Sequence, residues 1–130
     1  MVDNRTTAVV AVVEDDASSR TALGRLLRAE GFTTALFESA EAFIAASFEG
    51  IAACLVADLQ LPGMSGLELQ QRLRASGSHL PVIIITGAHE TRLRDRAVEN
   101  GCAAFFYKPL ESDLLVATIA SLASRCTKVQ

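Results

Sequence analysis

An open, doubly wound parallel β-sheet of five strands with helices on both faces is the α/β fold that the sequence predicts. Short apolar runs alternate with amphipathic segments five times along the chain. Most of these runs are continuous rather than alternating, which marks strands covered on both faces, as in a parallel sheet. Acidic, hydroxyl and basic residues stand where the runs end, and open sheets of this kind bind ligands beyond the carboxyl ends of their strands.

Each element has its own signal. The first run, Val9–Val13, ends in Glu14-Asp15-Asp16, and Asp16 is placed to cap a helix over Ala17–Glu30. Leu23, Leu26 and Leu27 give that helix an apolar face at i, i+3, i+4, and Gly31 stops it. Thr33–Phe37 is the most polar run and suits a sheet edge. Ser39-Ala40-Glu41-Ala42 reads as the capped start of a short helix carrying Phe43 and Ala46. The run Ala53–Ala57 leads into Asp58, and Pro62-Gly63 makes the following turn. Ser65 caps a helix reaching about Ser76 with Leu69 and Leu73 on one face. Val82–Ile85 ends in Thr86 and precedes a weaker, Arg- and Glu-rich helix marked by Leu93 and Ala97, which stops near Asn100-Gly101. Ala103–Tyr107 ends in Lys108-Pro109, and Leu115, Ile119 and Leu122 stripe the last helix. Such a βα alternation requires right-handed crossovers.

Composition excludes several classes. At 130 residues the chain is one domain, and its hydrophobic half argues against disorder. A formal charge of −3, from 12 basic and 15 acidic residues, gives no sign of a surface for nucleic acid or anionic membrane. No apolar stretch is long enough to span a bilayer, and Met1–Thr7 is polar and unlike a signal peptide, so a cytoplasmic location is expected. The expected division is a disordered tail over 1–7, a folded domain over 8–124 and a C-terminal tail over 125–130. Cys54, Cys102 and Cys126 lack metal-type spacing, and their odd number does not suggest a disulfide scaffold.

The strand-end residues suit phosphoryl chemistry with a divalent metal. Glu14 and Asp15 repel each other unless a cation joins them, and Mg²⁺ is the economical choice for oxygen ligands. His79 and His89 lie in loops around the fourth strand and read as solvated residues. Three acids after the first strand would repel a bare phosphate, which argues against a flavin or dinucleotide cradle. Asp58, four residues before Pro62, is not needed for the turn and is the candidate nucleophile. The Thr86 hydroxyl can donate to a phosphoryl oxygen, while Lys108 offsets the repulsion among the acids and then holds the transferred group.

With those residues in that order, the chain resembles the receiver domain of bacterial two-component response regulators. The resemblance spans about Ala8 to Ala123 and rests on Val12-Val13-Glu14-Asp15, Asp58 with Pro62 and Gly66, Ile85-Thr86-Gly87, and Lys108-Pro109. It implies a flavodoxin-like (βα)5 fold. It further implies that Asp58 is the phosphoacceptor, with Glu14, Asp15, Asp58 and the backbone carbonyl of Gln60 around Mg²⁺. Thr86 and Lys108 match the phosphate-contacting pair, Thr86 and Phe105 the switch residues, and the Lys108-Pro109 bond is expected to be cis. Gln60 and Ala88 occupy positions that tune dephosphorylation, and Phe105 carries no hydroxyl, so ring position alone can signal. The implied partner is a sensor histidine kinase or a phosphotransfer protein, with a phosphorylation-dependent homodimer as a further expectation. Such a domain catalyses only its own phosphorylation and dephosphorylation. It is either stand-alone or a piece of a longer regulator, and the run through Ile85-Thr86-Gly87 looks most like receivers attached to helix-turn-helix output domains. The rival readings are a degenerate receiver that binds partners without phosphate, and an aspartyl phosphohydrolase. The second would need an acid two residues after the nucleophile, where Gln60 stands.

Overall fold

In the computed structural model, residues 8–128 are described except Ala88, as are their side chains except those of Glu49 and residues 125–128. The expectations for residues 1–7 and for Ala88 therefore lie outside the described residues. Strands β1 (Val9–Val13), β2 (Thr33–Phe37), β3 (Cys54–Asp58), β4 (Val82–Thr86) and β5 (Ala104–Tyr107) alternate with helices α1 (Ala17–Ala29), α2 (Ala40–Ala46), α3 (Gly66–Ala75), α4 (Thr91–Glu99) and α5 (Ser112–Lys128). Helix α5 thus includes residues 125–128, and a short 3₁₀ turn at Phe48–Gly50 follows α2 without a signal in the sequence.

The strands form one sheet in the order β2-β1-β3-β4-β5, every neighbouring pair parallel. β1, β3 and β4 are almost wholly buried, as their continuous apolar runs require, whereas β2 and β5 at the edges are half-covered. Alternate residues feed two cores. Val10, Val12, Val56, Ile83 and Ile85 pack against Leu23 and Leu27 of α1 and Leu115 and Ile119 of α5. Ala11, Val13, Leu55 and Ile84 meet Phe43 of α2, Leu69 and Leu73 of α3 and Ala97 of α4 on the other face.

Helix starts follow the capping residues. Asp16 accepts from the Ser19 amide, Ser39 from that of Ala42, and Ser65 forms a reciprocal capping box with Glu68. α4 is different: its N-cap Glu90 makes no side-chain capping bond, and Ala97 is its one buried residue.

The chain leaves β1 toward β2 on one side and returns to place β3 on the other, so the topological switch point lies between the carboxyl ends of β1 and β3. Register makes the rest of the rim. Val13 lies beside Ala57, Asp58 beside Ile85, and Thr86 beside Tyr107, which sets Glu14, Asp58, Thr86 and Lys108 side by side.

Candidate functional site

Each rim residue is held by backbone pairing that continues past the apolar run. The Glu14 amide donates to Phe37 O at 3.0 Å, that of Leu59 to Ile85 O at 2.8 Å, and that of Lys108 to Thr86 O at 2.8 Å. For this reason Asp58 and Thr86 belong to their strands, one residue beyond the ends that apolarity alone indicates. Gly66 permits a second constraint: a Cβ there would overlap the backbone carbonyl of Asp58, so α3 begins directly against the nucleophile candidate.

Lys108 Nζ lies 2.8 Å from Glu14 Oε1 and 2.8 Å from Asp58 Oδ2. Glu14 is 1% exposed, Asp58 6% and Thr86 0%, so the two carboxylates that share one cation are both buried. Their other oxygens are also engaged, Glu14 Oε2 by the Asp16 amide at 3.1 Å and Asp58 Oδ1 by the Gln60 amide at 3.0 Å. Burial pushes the Glu14 carboxyl above its ordinary value and the charge of Asp58 adds to this, against the lowering by Lys108 and the Asp16 amide. Burial pulls the Lys108 ammonium down, but its bonds to Asp58 and Glu14 outweigh that and raise it. The lysine is therefore firmly charged.

Asp15 is exposed and completes the cluster: one oxygen each from Glu14, Asp15 and Asp58 lies within 4.8 Å of the others. Three carboxylates without histidine or thiolate form a hard donor set that suits Mg²⁺ and not zinc. Gln60 is exposed at the start of the β3–α3 loop. The Lys108-Pro109 bond is cis. Phe105 is half-buried on β5, with its ring 5.3 Å from that of Tyr107 in an edge contact. His89 is exposed as expected, yet it stacks on Tyr107 at 4.5 Å and 11°.

Two residues at the rim carried no signal in the sequence. Arg20 of α1 donates from Nη1 to the carbonyls of Glu14 at 2.9 Å and Asp15 at 3.3 Å, pinning the acidic loop from behind. Glu41 of α2 accepts the Met64 amide at 2.9 Å. Both act on backbone atoms, which leave no pattern of residue types to read.

The family model for the response regulator receiver domain matches residues 10–120. The chain belongs to the response regulator receiver domain family. This receiver is 40% identical over 111 residues to the transcriptional regulatory protein FixJ of Bradyrhizobium diazoefficiens, an alignment covering 85% of this chain and 54% of FixJ. It is 38% identical over 117 residues to nodulation protein W of the same organism, covering 89% and 52% of the two chains. The chain thus spans about half the length of the curated relatives it matches. Among solved structures, FixJ-N superposes with a TM-score of 0.82 at 32% identity, over 95% of this chain and 96% of FixJ-N. Full-length FixJ from B. japonicum gives a TM-score of 0.84 at 37% identity, over 93% of this receiver and 60% of that chain. Among the described residues, no helix is long and apolar enough to cross a membrane.

Proposed function

We propose that this receiver takes a phosphoryl group onto Asp58 from a phosphohistidine of a sensor kinase or phosphotransfer protein, in a reaction that needs Mg²⁺. The observation that carries the reading is the sharing of Lys108 between buried Glu14 and Asp58 at 2.8 Å each, beside buried Thr86 and exposed Asp15. The Asp58 carboxylate attacks phosphorus, the phosphorus–nitrogen bond breaks, and the imidazole leaves with the electron pair. Bound by Glu14, Asp15, Asp58 and the Gln60 carbonyl, Mg²⁺ would neutralise phosphoryl charge as a Lewis acid. Lys108 exchanges a carboxylate for a phosphoryl oxygen, and Thr86 donates its hydroxyl to another. Gln60 is too weak an acid to protonate a leaving group, so the site suits carrying the phosphoryl group rather than turning over a substrate.

The output follows from the same rim. As Thr86 moves toward the phosphoryl group, Phe105 turns inward and the α4–β5–α5 face is remodelled. Val98 on α4 is 56% exposed and Leu114 on α5 is 53% exposed, which supports a phosphorylation-dependent homodimer through this face. Relatives named transcriptional regulatory proteins support a receiver that governs a transcriptional output.

Incubation with acetyl phosphate and Mg²⁺ followed by intact mass measurement tests the reading. The expected result is one phosphoryl adduct on the native chain and none on Asp58→Ala. No adduct on the native chain would leave a phosphate-independent interaction module instead, and an equal adduct on Asp58→Ala would place the acceptor elsewhere.

A further inference from the structure

We infer that Glu41 is a positioning residue for the metal site, holding the β3–α3 loop in the shape that presents the Gln60 carbonyl. This rests on the reading of Gln60 as a metal ligand. Glu41 stands at the second residue of α2, exposed, with no rim group beside it in sequence. Its carboxylate nevertheless reaches a loop 23 residues further on, where Oε2 accepts the Met64 amide at 2.9 Å.

The same oxygen lies 2.6 Å from where a Cβ on Gly63 would stand, and Gly63 has a left-handed φ of +73°. The carboxylate therefore fills the space of the missing side chain and closes the turn from outside. The loop's ends are tied otherwise. Near its start the Gln60 amide donates to Asp58 Oδ1, and at its end the Gly66 amide donates to Leu59 O beside the Ser65–Glu68 capping box. Between those ends, buried Leu61 anchors one side and the Glu41–Met64 bond anchors the other. The Met64 amide also holds the Glu41 carboxyl below its ordinary range, as a bond to the ionised form must. A ligand carbonyl on a loop with both anchors is presented to the metal in advance, and one with a single anchor must be ordered on binding.

Calorimetric titration of the whole chain with Mg²⁺, without a phosphoryl donor, tests this. Glu41→Ala is expected to bind Mg²⁺ about threefold to tenfold more weakly, with its melting temperature in metal-free buffer little changed. Glu41→Gln keeps an acceptor oxygen and is expected to bind within about twofold of native. Gly63→Ala displaces the carboxylate, so adding Glu41→Ala to it should weaken binding no further. Native affinity in Glu41→Ala would overturn the inference. Equal losses in the Ala and Gln variants would also overturn it by pointing to charge alone, as would additive losses in the double variant. Absence of Mg²⁺ binding to the native chain would instead defeat the metal reading on which the inference stands.

Discussion

The two sides of the strand rim are built to different tolerances. On the β1–β3 side both strands are buried, α1 and α3 start from side-chain caps, and Arg20 and Glu41 pin the two loops through backbone atoms. On the far side β5 is half-covered, and α4 has no side-chain cap and one buried residue. One buried polar bond joins α4 to α3, from Gln70 Nε2 to Ala97 O at 2.9 Å, at the last turns of α4 and far from its free start. Under the proposed function, the contrast separates two jobs. Metal and nucleophile chemistry demands fixed distances, whereas a switch needs an element whose alternative positions differ little in free energy.

Glycine substitutions give the largest expected break in that contrast. Gly66→Ala drives a Cβ into the Asp58 carbonyl, which belongs to a buried strand and cannot yield; a loss of about 3 kcal/mol or more is expected in urea unfolding. Gly87→Ala on the far side meets no atom within 4 Å and should change stability by less than about 0.5 kcal/mol. Equal losses at the two positions would remove the distinction.

Lys108→Met comes next, because it leaves two buried carboxylates without their cation. Since 30% of the Lys108 side chain meets solvent, the loss should fall below that of a fully buried pair, at about 2 kcal/mol in metal-free buffer. Mg²⁺ should restore more stability to this variant than to the native chain, as thermal melts with and without the ion would show. The pH sense is set by the raised folded value of Lys108. Its contribution is present below the ordinary 10.5 and is lost as pH rises through the folded value, so the native advantage persists across neutral pH.

Smaller changes sharpen the picture of the far side. Glu90→Asp would supply the cap that α4 lacks and should stabilise the protein by about 1 kcal/mol while reducing the amplitude of its response to acetyl phosphate. His89→Ala removes the stack on Tyr107 and should cost about 0.5 kcal/mol, read as a small fall in the urea midpoint, with Mg²⁺ affinity unchanged.

Much of this layout was legible in the sequence. Continuous apolar runs gave the buried strands away, the polar run Thr33–Phe37 is an edge, and Asp16, Ser39 and Ser65 cap as residues of their type do. The weakness of α4 was visible too, because Leu93 and Ala97 were its only apolar markers of the inner face. Strand ends differ by one residue, since hydrogen-bonded pairing carries Asp58 and Thr86 into β3 and β4 while the apolar runs end before them. Arg20, Glu41 and Gln70 stayed hidden for a different reason. Each binds a backbone atom, and a backbone carbonyl or amide does not reveal itself through the type of residue that carries it.

Hydrogen exchange measured across the chain in Mg²⁺, with and without acetyl phosphate and with Asp58→Ala as control, tests the division of labour most directly. Altered exchange is expected in the β4–α4 loop, α4 and β5, with little change in α1 and β1 and none anywhere in the control. A response spread evenly over both sides, or centred on α1, would contradict it.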